Sequence, residues 1–323
     1  MTKPWHGEKP QICVAHAHYD LKAEIEKRGL SLPCEQVNNL ESFKKIAANA
    51  EILVVSMLWK NHILDWAPNL KLVQSVSAGV DHYAHDMFRE RGVHLCSAQG
   101  VNANAVSDHA LGLLLSLSRR LYEARDDQKK TFWRPTSTNA NDRLQELNSK
   151  TVLVVGFGGI GSRVAALCQA FGMNVIAMRR SISKKSPDNI KMITKNDFLK
   201  TLTEVDAIIL TCPLTSETFG LVNAQAFAAM RPDAVLINVG RGKLVDEVAM
   251  VEALQQKKIA AAGLDTFFEE PLSKSSPLWN MENVIVTPHA AGETQFYERN
   301  VVDILLHNIQ ALENGTPLKN QIV

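Results

Sequence analysis

Neither sign of charge dominates this chain. Over 323 residues, 35 lysines and arginines stand against 34 aspartates and glutamates, a formal net charge of +1. Blocks of like charge are absent beyond short pairs such as Arg179-Arg180 and Lys184-Lys185, which argues against a broad electrostatic footprint for nucleic acid or an acidic membrane. No run approaches the ~20 apolar residues of a membrane span. The first ten residues carry Lys3, Pro4, His6, Glu8 and Lys9 and so have no apolar core for a secretory signal. The five cysteines, Cys13, Cys34, Cys96, Cys168 and Cys212, contain no CxxC pair and mostly sit in apolar stretches, the pattern of buried free thiols in a reducing compartment. A cytoplasmic protein is expected. His82 and His85 flank Asp81 without third and fourth ligands at metal spacing, so no metal is expected.

What is present reads as globular: 46% hydrophobic and 21% charged residues, in a chain long enough for two hydrophobic cores. Short β-branched runs alternate with segments of helical period, which predicts α/β architecture with parallel sheets. A first series begins with strands over 11–15, 51–55 and 71–75. A second holds six, over 151–155, 174–177, 206–210, 234–238, 259–262 and 283–286, the count of a complete dinucleotide fold. Between them, Val106 to Arg125 reads as one long connecting helix, with Leu111, Leu114, Leu115, Leu117 and Leu121 apolar. Glu298 to Leu312 is helical in period and stopped by Gly315. Thr136 to Asp142 is polar and reads as a surface loop.

Directly after the strand over 151–155 comes Gly156-Phe157-Gly158-Gly159-Ile160-Gly161, followed by a helical run. A lone GxGxxG is weak, but between strand and helix it has a mechanism. Gly156 permits the tight turn, Gly158 lets backbone approach a pyrophosphate, and Gly161 allows close helix packing, while the helix N-terminus offers N–H groups to the phosphate charge. A glycine-rich turn without a ligand is the plainer alternative. After the next strand, where an acid would hold the ribose 2′-hydroxyl of NAD, the chain has Arg179, Arg180 and Ser181. An acid there would repel a 2′-phosphate and a guanidinium grips it, so NADP(H) is preferred, with NAD(H) possible. Two arginines that merely finish a strand are the competing reading. Lys184 and Lys185 are looser candidates.

These residues, with Ser75 to Asp81, Asn102 to His109, Thr211 to Thr218, Ile237 to Gly242, Gly263 to Pro271 and Thr287 to His289, resemble the D-isomer-specific 2-hydroxyacid dehydrogenases, glyoxylate/hydroxypyruvate reductase-like, over nearly the whole chain. The resemblance implies two flavodoxin/Rossmann-like domains with doubly wound parallel sheets, the cofactor domain inserted into the substrate domain. Residues 1–101 and 292–323 would then form a discontinuous substrate-binding domain, and 102–291 the dinucleotide-binding Rossmann domain. It further implies a catalytic trio of Arg241, Glu270 and His289. Cofactor contacts would come from Thr211, Cys212, Pro213, Thr218, Val239, Gly240, Asp265, His289 and Gly292 as well as the glycine turn. Ser77, Ala78 and Gly79 would bind the substrate carboxylate through backbone N–H groups, together with Arg241 and His289. Asn102 and Val106 correspond to connector positions near the nicotinamide. Here the chain departs from the family, which often carries Glu where this sequence has Ser107-Asp108-His109. Met57 to Lys60 is a candidate pocket rim, with Trp59 equally a core or interface residue. The resemblance also implies a homodimer, to which Phe132 and Trp133 are candidate contributors.

The chemistry supports the trio independently. Reduction of a 2-keto acid needs hydride at the carbonyl carbon, a proton at its oxygen and fixation of a carboxylate. Histidine titrates near neutral pH, a paired glutamate holds and orients the imidazolium, and an arginine fork binds both carboxylate and carbonyl oxygen. The expected function is NADPH-dependent reduction of a small 2-keto acid, of the glyoxylate or hydroxypyruvate class, to the D-2-hydroxy acid. The alternatives are a D-3-phosphoglycerate-type dehydrogenase and an NAD(P)-sensing co-repressor-like interaction protein. Glu270 argues against the formate branch, which has glutamine there. An end at Val323 is expected to disfavour the phosphoglycerate enzymes, which commonly add a regulatory domain.

Overall fold

The structure, a computed structural model, describes residues 5–80, 82–182 and 189–323. The chain divides into two compact units, one made of Met1–Asn102 with Thr294–Val323 and the other of Ala103–Glu293.

The first unit alternates β1 (Ile12–Ala15), α1 (Leu21–Lys27), β2 (Cys34–Val37), α2 (Leu40–Ala47), β3 (Ile52–Val55), β4 (Leu72–Ser75), α3 (His85–Arg91) and β5 (His94–Cys96). Its five-stranded sheet has the order β2-β1-β3-β4-β5, all parallel. Every residue of β1, β3 and β4 is buried, because helices cover both faces and each strand is therefore apolar throughout. The final helix, Tyr297–Asn314, belongs to this unit. Its Val301, Val302 and Leu305 share a core with Ile12, Val14 and Leu21, and Gly315 at φ +64° closes it.

The second unit contains α4 (Ala103–Ser118), α5 (Leu121–Lys129), β6 (Thr151–Val155), α6 (Gly159–Ala170), β7 (Asn174–Met178), β8 (Ile190–Ile193), α7 (Phe198–Leu202), β9 (Ala207–Leu210), α8 (Ala224–Ala229), β10 (Val235–Asn238), α9 (Glu247–Gln255), β11 (Ala261–Leu264) and β12 (Val284–Val286). The seven strands run parallel in the order β12-β11-β10-β9-β6-β7-β8. This corrects the expected six: β8 is an edge strand, half exposed, and has no apolar run to announce it. The strand expected over 259–262 lies at Ala261–Leu264, since the ladder with β10 pairs Gly263 and Leu264. The single helix expected over 106–125 is two, separated where Arg120 takes φ +50°. One sheet face is covered by α4 and α6, the other by α7, α8 and α9. Among the described residues, no helix is long and apolar enough to cross a membrane.

Candidate active site

All strands of the second unit run parallel, so every loop leaving a strand end emerges on the same edge of the sheet. At that edge the order reverses beside β6, whose neighbours are β7 and β9, the kind of crevice in which open α/β sheets take ligands. The glycine turn leaves β6 here. Gly156 has φ +96°, and a Cβ on it would lie 2.6 Å from Cys212 Cα; a Cβ on Gly161 would lie 1.8 Å from Gly156 O. Both positions therefore demand glycine. A Cβ on Gly158 would meet nothing within 4 Å, so the turn keeps an open side where backbone N–H groups at the start of α6 face outward. That cradle fits a dinucleotide pyrophosphate.

The neighbouring loops build its walls. Thr211 donates to Gly156 O at 2.8 Å, tying the loop after β9 to the turn. Cys212 is buried, and burial pushes its thiol up to about 11. Pro213 is exposed, whereas the Thr218 hydroxyl donates to Pro213 O and accepts from Thr215 N–H, ordering its own loop. After β7, Arg179 is half-buried with its guanidinium 4.7 Å from the Phe157 ring centroid, and Arg180 and Ser181 are exposed. Lys184 and Lys185 lie outside the described residues.

After β10, buried Asn238 clamps the turn: its side chain donates to Arg241 O and accepts from Gly240 N–H, each at 3.1 Å. Val239 and Gly240 are buried, while the exposed Arg241 bonds Gly240 O at 2.8 Å. A Cβ on Gly242 would lie 1.8 Å from Phe267 O, so this turn is pressed against the segment after β11. That segment carries Glu270, whose Oε1 accepts from Phe267 N–H at 3.0 Å and whose Oε2 lies 2.7 Å from His289 Nδ1. His289 follows β12 with φ +52°, a backbone state costly for a residue with a side chain. The second unit thus brings Arg241, Glu270 and His289 to one edge, with the histidine and carboxylate paired and both partly open to solvent.

In the first unit, Ser77, Ala78 and Gly79 follow β4 in an open loop. The loop is pinned by Ser75 Oγ, which accepts from Ser77 N–H at 3.1 Å, and by a Ser56–Ser77 hydroxyl contact. Tyr297 donates to Val76 O at 2.8 Å just before it. Asp81, at the end of this motif, lies outside the described residues. Met57 is exposed, and Trp59 is buried against Tyr83 and Phe88, which makes it core. His85 lies 3.3 Å from Val80 O.

A model of the D-isomer specific 2-hydroxyacid dehydrogenase NAD binding domain matches residues 111–291. The chain belongs to this family. It is an oxidoreductase. The dehydrogenase is 30% identical over 307 residues to a glyoxylate reductase of Thermococcus gammatolerans, covering 94% of this chain and 90% of that one. It is 32% identical over 302 residues to a D-3-phosphoglycerate dehydrogenase of Archaeoglobus fulgidus, covering 92% of this chain but only 56% of that relative's length. Among solved structures it is similar to a D-isomer specific 2-hydroxyacid dehydrogenase from Xanthobacter autotrophicus in complex with NADPH and MES. The TM-score is 0.80 at 26% identity, over 97% of this chain and 98% of that one.

In this dehydrogenase Asp265 is 1% exposed and fully engaged. Its Oδ1 accepts from the Thr287 hydroxyl at 2.7 Å and Ala290 N–H at 2.9 Å, and its Oδ2 from Ala291 N–H at 3.0 Å. Asp265 therefore holds the loop on both sides of His289, through the Thr287 side chain before it and two backbone N–H groups after it, a tie between the segments following β11 and β12 that motif matching does not disclose. His109, on α4, extends the network: its Nε2 lies 3.0 Å from Thr287 Oγ. Because that hydroxyl's proton points to Asp265, the imidazole Nε2 is the donor. Val106 is buried, Asn102 and Gly292 are half-buried, and the exposed Asp108 pairs with Arg163.

Proposed function

We propose that this dehydrogenase reduces a small 2-keto acid of the glyoxylate or hydroxypyruvate class to the D-2-hydroxy acid, with NADPH as reductant. The observation that carries the reading is the 2.7 Å pair of His289 Nδ1 and Glu270 Oε2 at the sheet edge that also bears the glycine cradle. A bound nicotinamide supplies the hydride. With Nδ1 turned to the carboxylate, His289 keeps Nε2 for the substrate oxygen and delivers the proton there as hydride arrives at carbon. Glu270 fixes the ring's orientation through the Oε2 contact to Nδ1. The planar fork of Arg241 polarises the carbonyl and binds the carboxylate, and backbone N–H groups of Ser77, Ala78 and Gly79 are assigned to the substrate carboxylate as well.

The NADPH preference is supported by Arg179 and Arg180 at the end of β7, where no acid stands to receive a 2′-hydroxyl. Residues 102–291 are assigned as the dinucleotide-binding domain, 1–101 with 292–323 as the substrate-binding domain, and the working form as a cytoplasmic homodimer. The chain's likeness to a D-3-phosphoglycerate dehydrogenase over 92% of its length makes phosphoglycerate oxidation the second reading.

Initial rates of NADPH and NADH oxidation against glyoxylate, hydroxypyruvate, pyruvate, phenylpyruvate and 2-ketoisocaproate test the proposal, with 3-phosphoglycerate and NAD+ as the reverse arm. Fast turnover of glyoxylate or hydroxypyruvate with NADPH is expected. Turnover of 3-phosphoglycerate alone would transfer the assignment to the second reading. Dinucleotide binding without turnover of any substrate would favour a sensing protein.

A further inference from the structure

Phe157 occupies a variable position of the glycine turn, where the backbone mechanism asks for no particular side chain. Its ring is half-buried and packs on the core shared by β6, α4 and α6. Above it lies Arg179, with guanidinium carbon and ring centroid 4.7 Å apart. Arg179 leaves β7 with its backbone N–H still bonded to Ile193 O at 3.0 Å, so its main chain is fixed by the sheet and its side chain by the ring. Among the described residues its guanidinium makes no hydrogen bond or ion pair, which leaves its donors available to a ligand. Arg180, which is exposed, has no aromatic ring facing it among the described residues.

We propose that Phe157 is a specificity-determining positioning residue for the 2′-phosphorylated dinucleotide: its ring seats the Arg179 guanidinium through a cation–π contact and leaves the guanidinium N–H donors free to bind the phosphate. The inference rests on the reading that Arg179 grips the 2′-phosphate. An arginine has more rotamer freedom to lose than most side chains, and a face-on aromatic ring removes part of that freedom before the ligand arrives. The electrostatic attraction of ring face and cation adds to the same effect. An apolar side chain without a π-face would keep the packing below the turn and lose the seat above it. The consequence is selective, since only the dinucleotide that uses Arg179 is affected.

The test measures dissociation constants of NADPH and NADH by fluorescence titration for wild type, Phe157→Leu, Phe157→Met, Phe157→Tyr and Arg179→Ala. With Leu or Met, NADPH affinity is expected to fall roughly threefold to tenfold with NADH unchanged, and Tyr, which keeps a ring face, is expected to restore it. Either apolar variant suffices if the other fails to fold. Equal losses for both dinucleotides, or none for either, would overturn the role of Phe157 while a selective loss in Arg179→Ala left the phosphate reading intact. Equal wild-type affinities that Arg179→Ala does not change would overturn that reading and the inference with it.

Discussion

The carboxylate of Glu270 is held at both oxygens: Oε1 accepts from Phe267 N–H, and Oε2 faces Nδ1 of His289 at 2.7 Å. The first bond sets the second. Anchored to its own backbone three residues away, the carboxylate has little freedom to follow the imidazole, so the ring is aimed by a fixed group. His289 itself stands on a left-handed backbone, where small changes in the loop would swing the ring out of line.

Replacing either partner should therefore separate chemistry from binding. His289→Ala is expected to lower kcat by about 10² to 10⁴, the usual contribution of a general acid, with NADPH affinity little changed. Glu270→Gln keeps the shape and can still meet Phe267 N–H but loses the charge. It should lower kcat by roughly 10- to 100-fold on the same principle. Stopped-flow hydride transfer beside fluorescence titration of NADPH checks both, and a comparable loss of cofactor affinity would remove the pair from catalysis.

Two glycines of one turn should behave oppositely. In Gly161→Ala the new methyl would sit 1.8 Å from Gly156 O, so the turn must move, and a loss of roughly 1–3 kcal/mol is expected in urea unfolding together with cofactor binding. In Gly158→Ala the methyl enters open space, so the fold should be nearly unaffected while dinucleotide affinity falls. A Gly158→Ala protein that binds NADPH like wild type would show that the cofactor does not approach this side.

The glycine turn was legible because strand, turn and helix are contiguous; the grouping of Arg241, Glu270 and His289 came from the resemblance to the family's motifs, and the structure brings the three to one sheet edge. What escaped has a physical pattern. β8 and β2 are half-exposed edge strands whose Ile-Lys-Met-Ile and Cys-Glu-Gln-Val lack the apolar continuity that marked β6 or β9. The break between α4 and α5 was masked by Leu121, which continues the apolar period though it is 53% exposed; the helix stops because Arg120 turns left-handed. His109 was invisible as a site residue, since its partner Thr287 is 178 positions away and only the fold brings them together.

Acid should weaken the first unit through His16. The ring is 4% exposed, its Nδ1 accepts from His18 N–H at 3.2 Å and Tyr19 N–H at 3.0 Å, and it stacks on Tyr19 at 4.7 Å. Burial first, and then His18, lowers its pKa below the ordinary histidine value. The neutral ring is thus favoured in the folded state. Its stabilisation is complete above about pH 6.5 and is lost as pH falls through that value toward the lower folded pKa. Urea midpoints between pH 7.5 and 5 should drop less steeply in His16→Asn, which keeps an acceptor but does not titrate. Parallel profiles would exclude His16 as the source.

Asp265 offers the sharpest separation of positioning from contact. Asp265→Asn preserves volume but replaces one acceptor oxygen by an NH2. Whichever way the amide turns, a donor then faces a backbone donor: Ala291 N–H on one side, or Ala290 N–H on the other. At 1% exposure no solvent relieves the conflict, so a loss of roughly 1–3 kcal/mol in unfolding free energy is expected. The loop that shifts in response is the one carrying His289, and kcat should fall with it. His109→Leu attacks the same network from its edge, removing the donor to Thr287 and the 3.7 Å approach of Nε2 to Asp265 Oδ1 while Asp265 keeps its three hydrogen bonds, so a smaller drop in kcat is expected. Steady-state rates and urea midpoints for the two variants and their double mutant check the order. If the network acts as one unit, the double variant costs less than the sum of the singles, because Asp265→Asn has already displaced the Thr287 hydroxyl that His109 supports. Strict additivity would mean that His109 and Asp265 support the loop separately.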